Sequence, residues 1–248
     1  MTDEVAGAAG QGAQSPGFAA RRAAALEELD AIDPARHGRL SEDPLRRGWF
    51  GEVYARAGED AARVPWGSLA PHALTRSFVL AQLRGLAGLR VLDVGCGLGD
   101  NAECFAAAGA DVVAFDFVPQ AISWAKRRFP ESRVDYRIAD LFALPADWRG
   151  TFDVVHECYT LQALAPSLLA EAFAAFAAAL RPGGALVLIS RARDEQEAIA
   201  GPPWPLPPSI FDLARRQGFT ARLIEDIPAG PGVGRRHWRA VLRRLEAA

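Results

Sequence analysis

The stretch Val91-Leu92-Asp93-Val94-Gly95-Cys96-Gly97-Leu98-Gly99 decides how this chain folds. A short, mostly apolar strand runs into three alternating glycines, and a helix-like segment near Asp100–Ala108 begins at once. Glycines suit such a turn because a side chain would keep the backbone from approaching a ligand. The following helix points its N-terminal amides and positive dipole end into the same space, so an anionic group, phosphate or carboxylate, is the expected guest. The next strand-like run ends in Ala114-Phe115-Asp116, with its carboxylate 19 residues after Gly97. That placement suits the hydroxyls of a ribose.

Outward from this loop, strands and helices alternate. Strand-like runs fall at Arg90–Val94, Asp111–Asp116, Val134–Ala139, Phe152–His156 and Ala185–Ser190, with helix-like stretches near Pro119–Arg128 and Ser167–Leu180 between the later ones. This order implies a parallel sheet covered on both faces. Thr220–Asp226 and His237–Arg243 flank the turn-rich segment Pro228–Gly234 and read as a hairpin. Upstream, helices are expected at Phe18–Ile32, Leu45–Ala57 and about Ala73–Leu86, with a turn at Val64-Pro65-Trp66-Gly67. The chain divides into a disordered tail (1–17), a helical cap or lid (18–85) and a sheet domain (86–248).

Composition removes whole classes of function. Among 248 residues, 28 Lys and Arg face 30 Asp and Glu, so the net charge of -2 offers no field for a polyanion. No apolar run reaches the ~18–20 residues a membrane span requires, and Met1-Thr2-Asp3-Glu4 lacks the basic and apolar regions of a signal peptide. Three scattered cysteines suit neither a disulfide framework nor a Cys-rich metal site. The expectation is a cytoplasmic protein, monomer or homodimer, acting on a small molecule, with no nucleic-acid, membrane or metal partner.

The loop spacing is GxGxG after Asp93, rather than the GxGxxG of dinucleotide folds. It resembles motif I of the class I S-adenosylmethionine-dependent methyltransferases, and the resemblance extends over about residues 86–190. It implies a Rossmann-like α/β fold with a seven-stranded, mostly parallel sheet and S-adenosylmethionine as cofactor. By the same resemblance, the glycine loop with Asp93, Gly95, Cys96 and Gly97 faces the methionine part, Asp116 holds the ribose and Asp140 lies by the adenine amino group, with Phe117 and Leu141 as further cofactor contacts. Phe152-Asp153-Val154-Val155-His156-Glu157 is similar to the family's fourth strand, ending beside the sulfonium, and Arg181-Pro182-Gly183-Gly184 to the turn before its fifth. An activated sulfonium needs no metal and no covalent intermediate, so catalysis reduces to positioning and exclusion of water.

The flanks resemble the thiopurine, thiol and halide methyltransferase branch in Trp49-Phe50, Tyr54, Val64-Pro65-Trp66-Gly67 and Gly201-Pro202-Pro203-Trp204. The chain departs from that branch at Glu157, where Asp is common, and at Cys158, where some members carry Arg. Trp66 is expected over the cofactor and Glu157 as a cofactor contact. Tyr54, Trp49, Arg191, Arg193 and Trp204 are expected around the acceptor, with Tyr159 and His156 as catalytic groups. Strand alternation leaves open that His156 faces a helix, and His72 is a further candidate base. The expected reaction is direct methyl transfer to a thiol or heterocyclic nitrogen. Its alternatives are O-methylation of a small natural product, a nicotinamide-dependent oxidoreductase, and a non-catalytic cofactor-binding module.

Overall fold

The computed structural model describes residues 16–198, 201–231 and 233–246. Seven strands form one sheet in the order β3-β2-β1-β4-β5-β7-β6. These are β1 (Arg90–Val94), β2 (Asp111–Asp116), β3 (Asp135–Ile138), β4 (Phe152–Cys158), β5 (Leu180–Arg191), β6 (Phe219–Ile227) and β7 (His237–Arg244). Strands β1 to β5 pair in parallel, while β7 runs antiparallel to both β5 and β6. The C-terminal ends of β1, β2 and β4 therefore meet at one edge of the sheet, where open α/β sheets bind ligands.

Alternation along the strands divides the core in two. Leu92, Val94, Val155, Leu186 and Leu188 point to one face, under α7 (Leu169–Ala179) and α8 (Ile210–Arg216). Val91, Val112, Val154 and Val187 point to the other, under α3 (Ala73–Ala81), α5 (Asp100–Ala107) and α6 (Pro119–Arg128). A third apolar cluster joins α1 (Pro16–Asp30) and α2 (Arg47–Ala57) to Leu98, Val118, Ala121 and Trp124, so the N-terminal helices are seated on the glycine loop and α6.

The expected tail lies outside the described residues except for residues 16 and 17, which open α1 because proline suits a helix's first turn. The helix expected over 73–86 breaks at Gln82, whose amide donates back to Phe78 and Val79, and resumes as α4 (Leu83–Leu86). The turn expected at residues 181–184 is absorbed into β5 as an irregularity: Phe152 pairs with Leu180 and Val154 with Ala185. Helix α8 has no counterpart in the sequence reading, since its 7 residues are too few for a clear period.

The cap is fastened by a buried ion pair. Arg46 and Asp33 are 3% and 1% exposed, with Arg46 Nε donating to Asp33 Oδ1 at 3.0 Å. The guanidinium lies 4.0 Å from the Trp49 ring centre. Asp33→Ala strands a buried guanidinium, and the expected cost is about 3–5 kcal/mol of unfolding free energy by denaturant titration. A loss below about 1 kcal/mol would show that the pair does not anchor the cap.

Candidate active site

At the end of β1 the chain turns through Gly95, Gly97 and Gly99, all at positive φ, and α5 starts at Asp100. The glycines have different reasons to be there. A Cβ on Gly95 would sit 2.8 Å from Thr160 Oγ1, and one on Gly99 would collide with the Tyr136 hydroxyl. Gly97 alone faces the cap: its Cβ would lie 3.3 Å from both Trp66 Nε1 and Tyr54 Oη. Trp66 Nε1 donates to Tyr54 Oη at 3.1 Å, so the two aromatics close on the loop as a unit.

Asp116 stands directly beside the loop. Its Oδ2 accepts the Gly97 amide (3.1 Å) and its Oδ1 the Val118 amide (3.0 Å). Burial raises its pKa to about 6, against the pull of those backbone donors. The Gly97 amide is thus donated within the chain, which corrects the expectation of an anionic guest at that position. Phe117 packs against Phe50 with ring centres 5.6 Å apart, and the Arg47 guanidinium sits 5.6 Å from the Phe117 ring. Arg47 also forms an ion pair with Asp140, whose Oδ1 caps the Phe142 amide. Phe117, Asp140, Phe50 and Arg47 therefore form one cluster. Arg47 and Phe50 were missing from the expected site, because only the docking of α2 brings them there. The Leu141 side chain points into the core instead.

Several expected site residues are placed elsewhere. His156 is fully buried, with Nδ1 donating to Asp93 Oδ1 at 2.6 Å, Thr75 Oγ1 3.0 Å from Nε2 and Phe105 against its ring. It faces the α3–α5 side of the sheet and fastens α3 to it, so it is no base for an acceptor. Trp49 is buried, with its indole N–H donating to Leu29 O, and packs the cap rather than an acceptor. Tyr54 belongs with the glycine loop instead of the acceptor side. The Arg193 guanidinium donates to carbonyls of Asp194, Glu195, Glu197 and Pro205, which commits it to its own loop. Trp204 leans toward Arg46 at 5.9 Å and lines an apolar groove of about 260 Å³ on the α7–α8 face.

Glu157 is enclosed below the turn after β4, where its Oε2 accepts the amides of Thr160 and Leu161 at 3.1 Å each. Burial pushes its pKa up to about 8. Asp93 Oδ2 and Glu157 Oε1 are buried oxygens without a hydrogen-bond partner among the described residues. Asp93 and Asp116, close enough to raise one another's cost of ionisation, put acidic groups beside the loop and disfavour a pyrophosphate there.

A second cluster stands at the end of β4. Tyr159, held at φ 72, places its hydroxyl 3.0 Å from His72 Nε2 and 2.6 Å from His237 Nε2. Its ring stacks on His237, and the half-buried Arg191 lies 5.9 Å from the ring centre. Sequence reasoning named Tyr159, Arg191 and His72 but missed His237. The pairing of Arg191 with His237 across β5 and β7 brings that histidine in from 78 residues away.

Residues 91–184 match a family model described as a methyltransferase domain. A ubiquinone biosynthesis O-methyltransferase of Xanthomonas campestris pv. campestris is 39% identical over 131 residues, covering 52% of this chain and 53% of that protein. The chain thus spans about half the length of the curated relatives it matches. Among solved structures, 1,6-didemethyltoxoflavin-N1-methyltransferase of Burkholderia thailandensis, with bound 1,6-didemethyltoxoflavin and S-adenosylhomocysteine, is 21% identical. It aligns over 82% of this chain and 88% of its own, with a TM-score of 0.64. The [4+2]-cyclase SpnF aligns over 82% and 97% at 19% identity and a TM-score of 0.66.

For a nucleoside to reach Gly97, Tyr54 and Trp66 have to move off it. Titration with S-adenosylhomocysteine is therefore expected to change tryptophan fluorescence in the wild type and to lose its main component in Trp66→Phe. Unchanged wild-type fluorescence at saturation would show that the cap stays shut. By sequence, residues 91–184 are similar to methyltransferase domains, and 82% of the chain shares the fold of a methyltransferase structure that holds S-adenosylhomocysteine.

Proposed function

We propose that this protein is an S-adenosylmethionine-dependent methyltransferase acting on a small molecule. The observation that carries the reading is the Asp116–Gly97 contact. A carboxylate at the tip of β2 takes the loop amide that a dinucleotide's phosphate would need, and keeps lone pairs for ribose hydroxyls. That arrangement disfavours the nicotinamide alternative. The residues present fit the cofactor: Asp116 for the ribose, Phe117, Asp140 and the Leu141 backbone for the adenine, and Gly95, Cys96, Gly97 and Asp93 beside the methionine portion. Asp93 offers a buried, unpartnered oxygen to a cation. Tyr54 and Trp66 close over the ligand and exclude water. When bound, the cofactor supplies a methyl group already activated on sulfur.

Tyr159 and Arg191 face the acceptor. Similarity to ubiquinone biosynthesis O-methyltransferases supports O-methylation, and the toxoflavin N1-methyltransferase supports a nitrogen acceptor. The thiopurine, thiol and halide branch retains only its aromatic cap and Gly-Pro-Pro-Trp loop as support. A cyclase of the same fold keeps a non-methylating role as the rival reading, which an assay for methylated product decides.

Calorimetry tests the cofactor. S-adenosylhomocysteine is expected to bind the wild type, and Asp116→Asn to weaken it at least about tenfold with folding retained by circular dichroism. Near-normal affinity in that variant would overturn the ribose assignment. Because the Asp116 pKa is raised to about 6, its charged, better-accepting form is present above that pH. Affinity is therefore expected to fall as pH drops below about 6, approaching tenfold per pH unit, and Asp116→Asn should flatten that slope.

A further inference from the structure

The partners of His72, Tyr159 and His237 orient every proton in the cluster. The Arg235 carbonyl lies 2.5 Å from His237 Nδ1, so Nδ1 carries the hydrogen and Nε2 is an acceptor. The Leu74 amide donates to His72 Nδ1 at 3.3 Å, so the His72 hydrogen is on Nε2. His72 Nε2–H therefore donates to Tyr159 Oη, and Tyr159 O–H donates to His237 Nε2. The result is a one-way chain from the α3 cap, through the tyrosine, to the start of β7. His237 is 1% exposed, whereas His72 and Tyr159 are half-buried and reach the edge of the site.

Resting on the methyltransferase reading above, we propose that this chain is a proton relay in which Tyr159 takes the acceptor's proton and His237 stores it, and that the acceptor is a phenolic or enolic hydroxyl. Tyr159 Oη accepts from His72 and donates to His237, and Arg191 reaches its remaining lone-pair side, so an acceptor O–H enters there beside the guanidinium. As the acceptor oxygen bonds to the methyl carbon, the S–C bond breaks and leaves its electron pair on sulfur. The acceptor's proton passes to Tyr159 Oη, and the tyrosine's own proton passes to His237 Nε2. The positive charge lost at sulfur reappears on the imidazolium, so charge is conserved. When product leaves, the proton returns through Tyr159 to water.

The electrical surroundings suit a relay that is neutral at rest. Facing the cluster are Arg191 from β5, Cys158 from β4, and His156 behind His72; among the described residues no carboxylate hydrogen-bonds to any of the three groups. Burial lowers the His72 pKa to about 4, with the neighbouring histidines adding to the shift, and lowers that of His237. Burial raises the Tyr159 pKa to about 12. A thiol, with a free pKa of ~8.5, needs little help to ionise near neutral pH. A phenol at ~10 keeps its proton, and for it the relay matters.

Two measurements on the full chain test this. Nitrogen-detected imidazole NMR is expected to show His237 neutral and protonated on Nδ1 at pH 7, with His72 neutral and protonated on Nε2. A charged His237, or the opposite tautomer, overturns the relay whether or not the protein methylates anything. Methyl transfer is then screened against a series of substituted catechols and thiophenols. With the best phenol, Tyr159→Phe and His237→Asn are expected to lower kcat about 10²-fold at pH 7. KM and S-adenosylhomocysteine affinity should stay within about threefold, and the lost rate should return as pH rises toward the phenol's pKa. Equal losses on phenols and thiols, unchanged kcat on phenols, or methylation confined to thiols would each overturn the proposal. Failure of S-adenosylhomocysteine to bind would instead overturn the cofactor reading, leaving the NMR result to judge the relay.

Discussion

The contact between the Gly97 amide and the Asp116 carboxylate is the point from which the site is built. It exists because β1 and β2 run parallel in register, Val94 opposite Phe115, so that both strands end at the same level. The Cys96 amide adds a bond to the Phe115 carbonyl, extending the pairing one residue into the loop. With the loop tied to β2, α5 must start beside the acid. Loss of that tie would free the loop, the helix start and the floor under Tyr54 and Trp66 together.

Strand β4 divides two tasks between its faces. His156 points to the α3–α5 side, where it joins Asp93 to Thr75 and holds the cap's third helix on the sheet. Glu157 points to the other side and holds the turn that follows, by accepting two amides. Tyr159 stands on that turn at positive φ, a conformation unfavourable for a non-glycine residue. The structural residues are thus the two that look most like catalysts by charge, and the group they position is a tyrosine. The acid–base character that sequence reading assigned to His156 passes to His237, which Arg191 and the β5–β7 pairing deliver.

The aromatic cap has a similar double nature. Trp49 and the Arg46–Asp33 pair give it a core of its own, while Tyr54 and Trp66 extend that core onto Gly97. Arg47 reaches across to Asp140 at the far end of the loop edge. The pair is partly exposed, so its worth is small, about 0–1 kcal/mol. A weak latch of this kind holds the cap in register without opposing its displacement by a ligand.

The sequence by itself determined the alternation of strands and helices, the glycine loop and the acid 19 residues beyond it. These are local properties: periodicity, turn chemistry and one crossover length suffice to read them. It also carried the Pro-Trp turn and the hairpin at the C-terminus. The tertiary structure alone decided which face of β4 each side chain takes, that Gly95 and Gly99 make room for Thr160 and Tyr136, and that Arg47 meets Asp140. It also decided that His72, Tyr159 and His237 share one hydroxyl. These pairings join residues tens of positions apart, and their partners are set by strand register and helix docking, which no local spacing encodes.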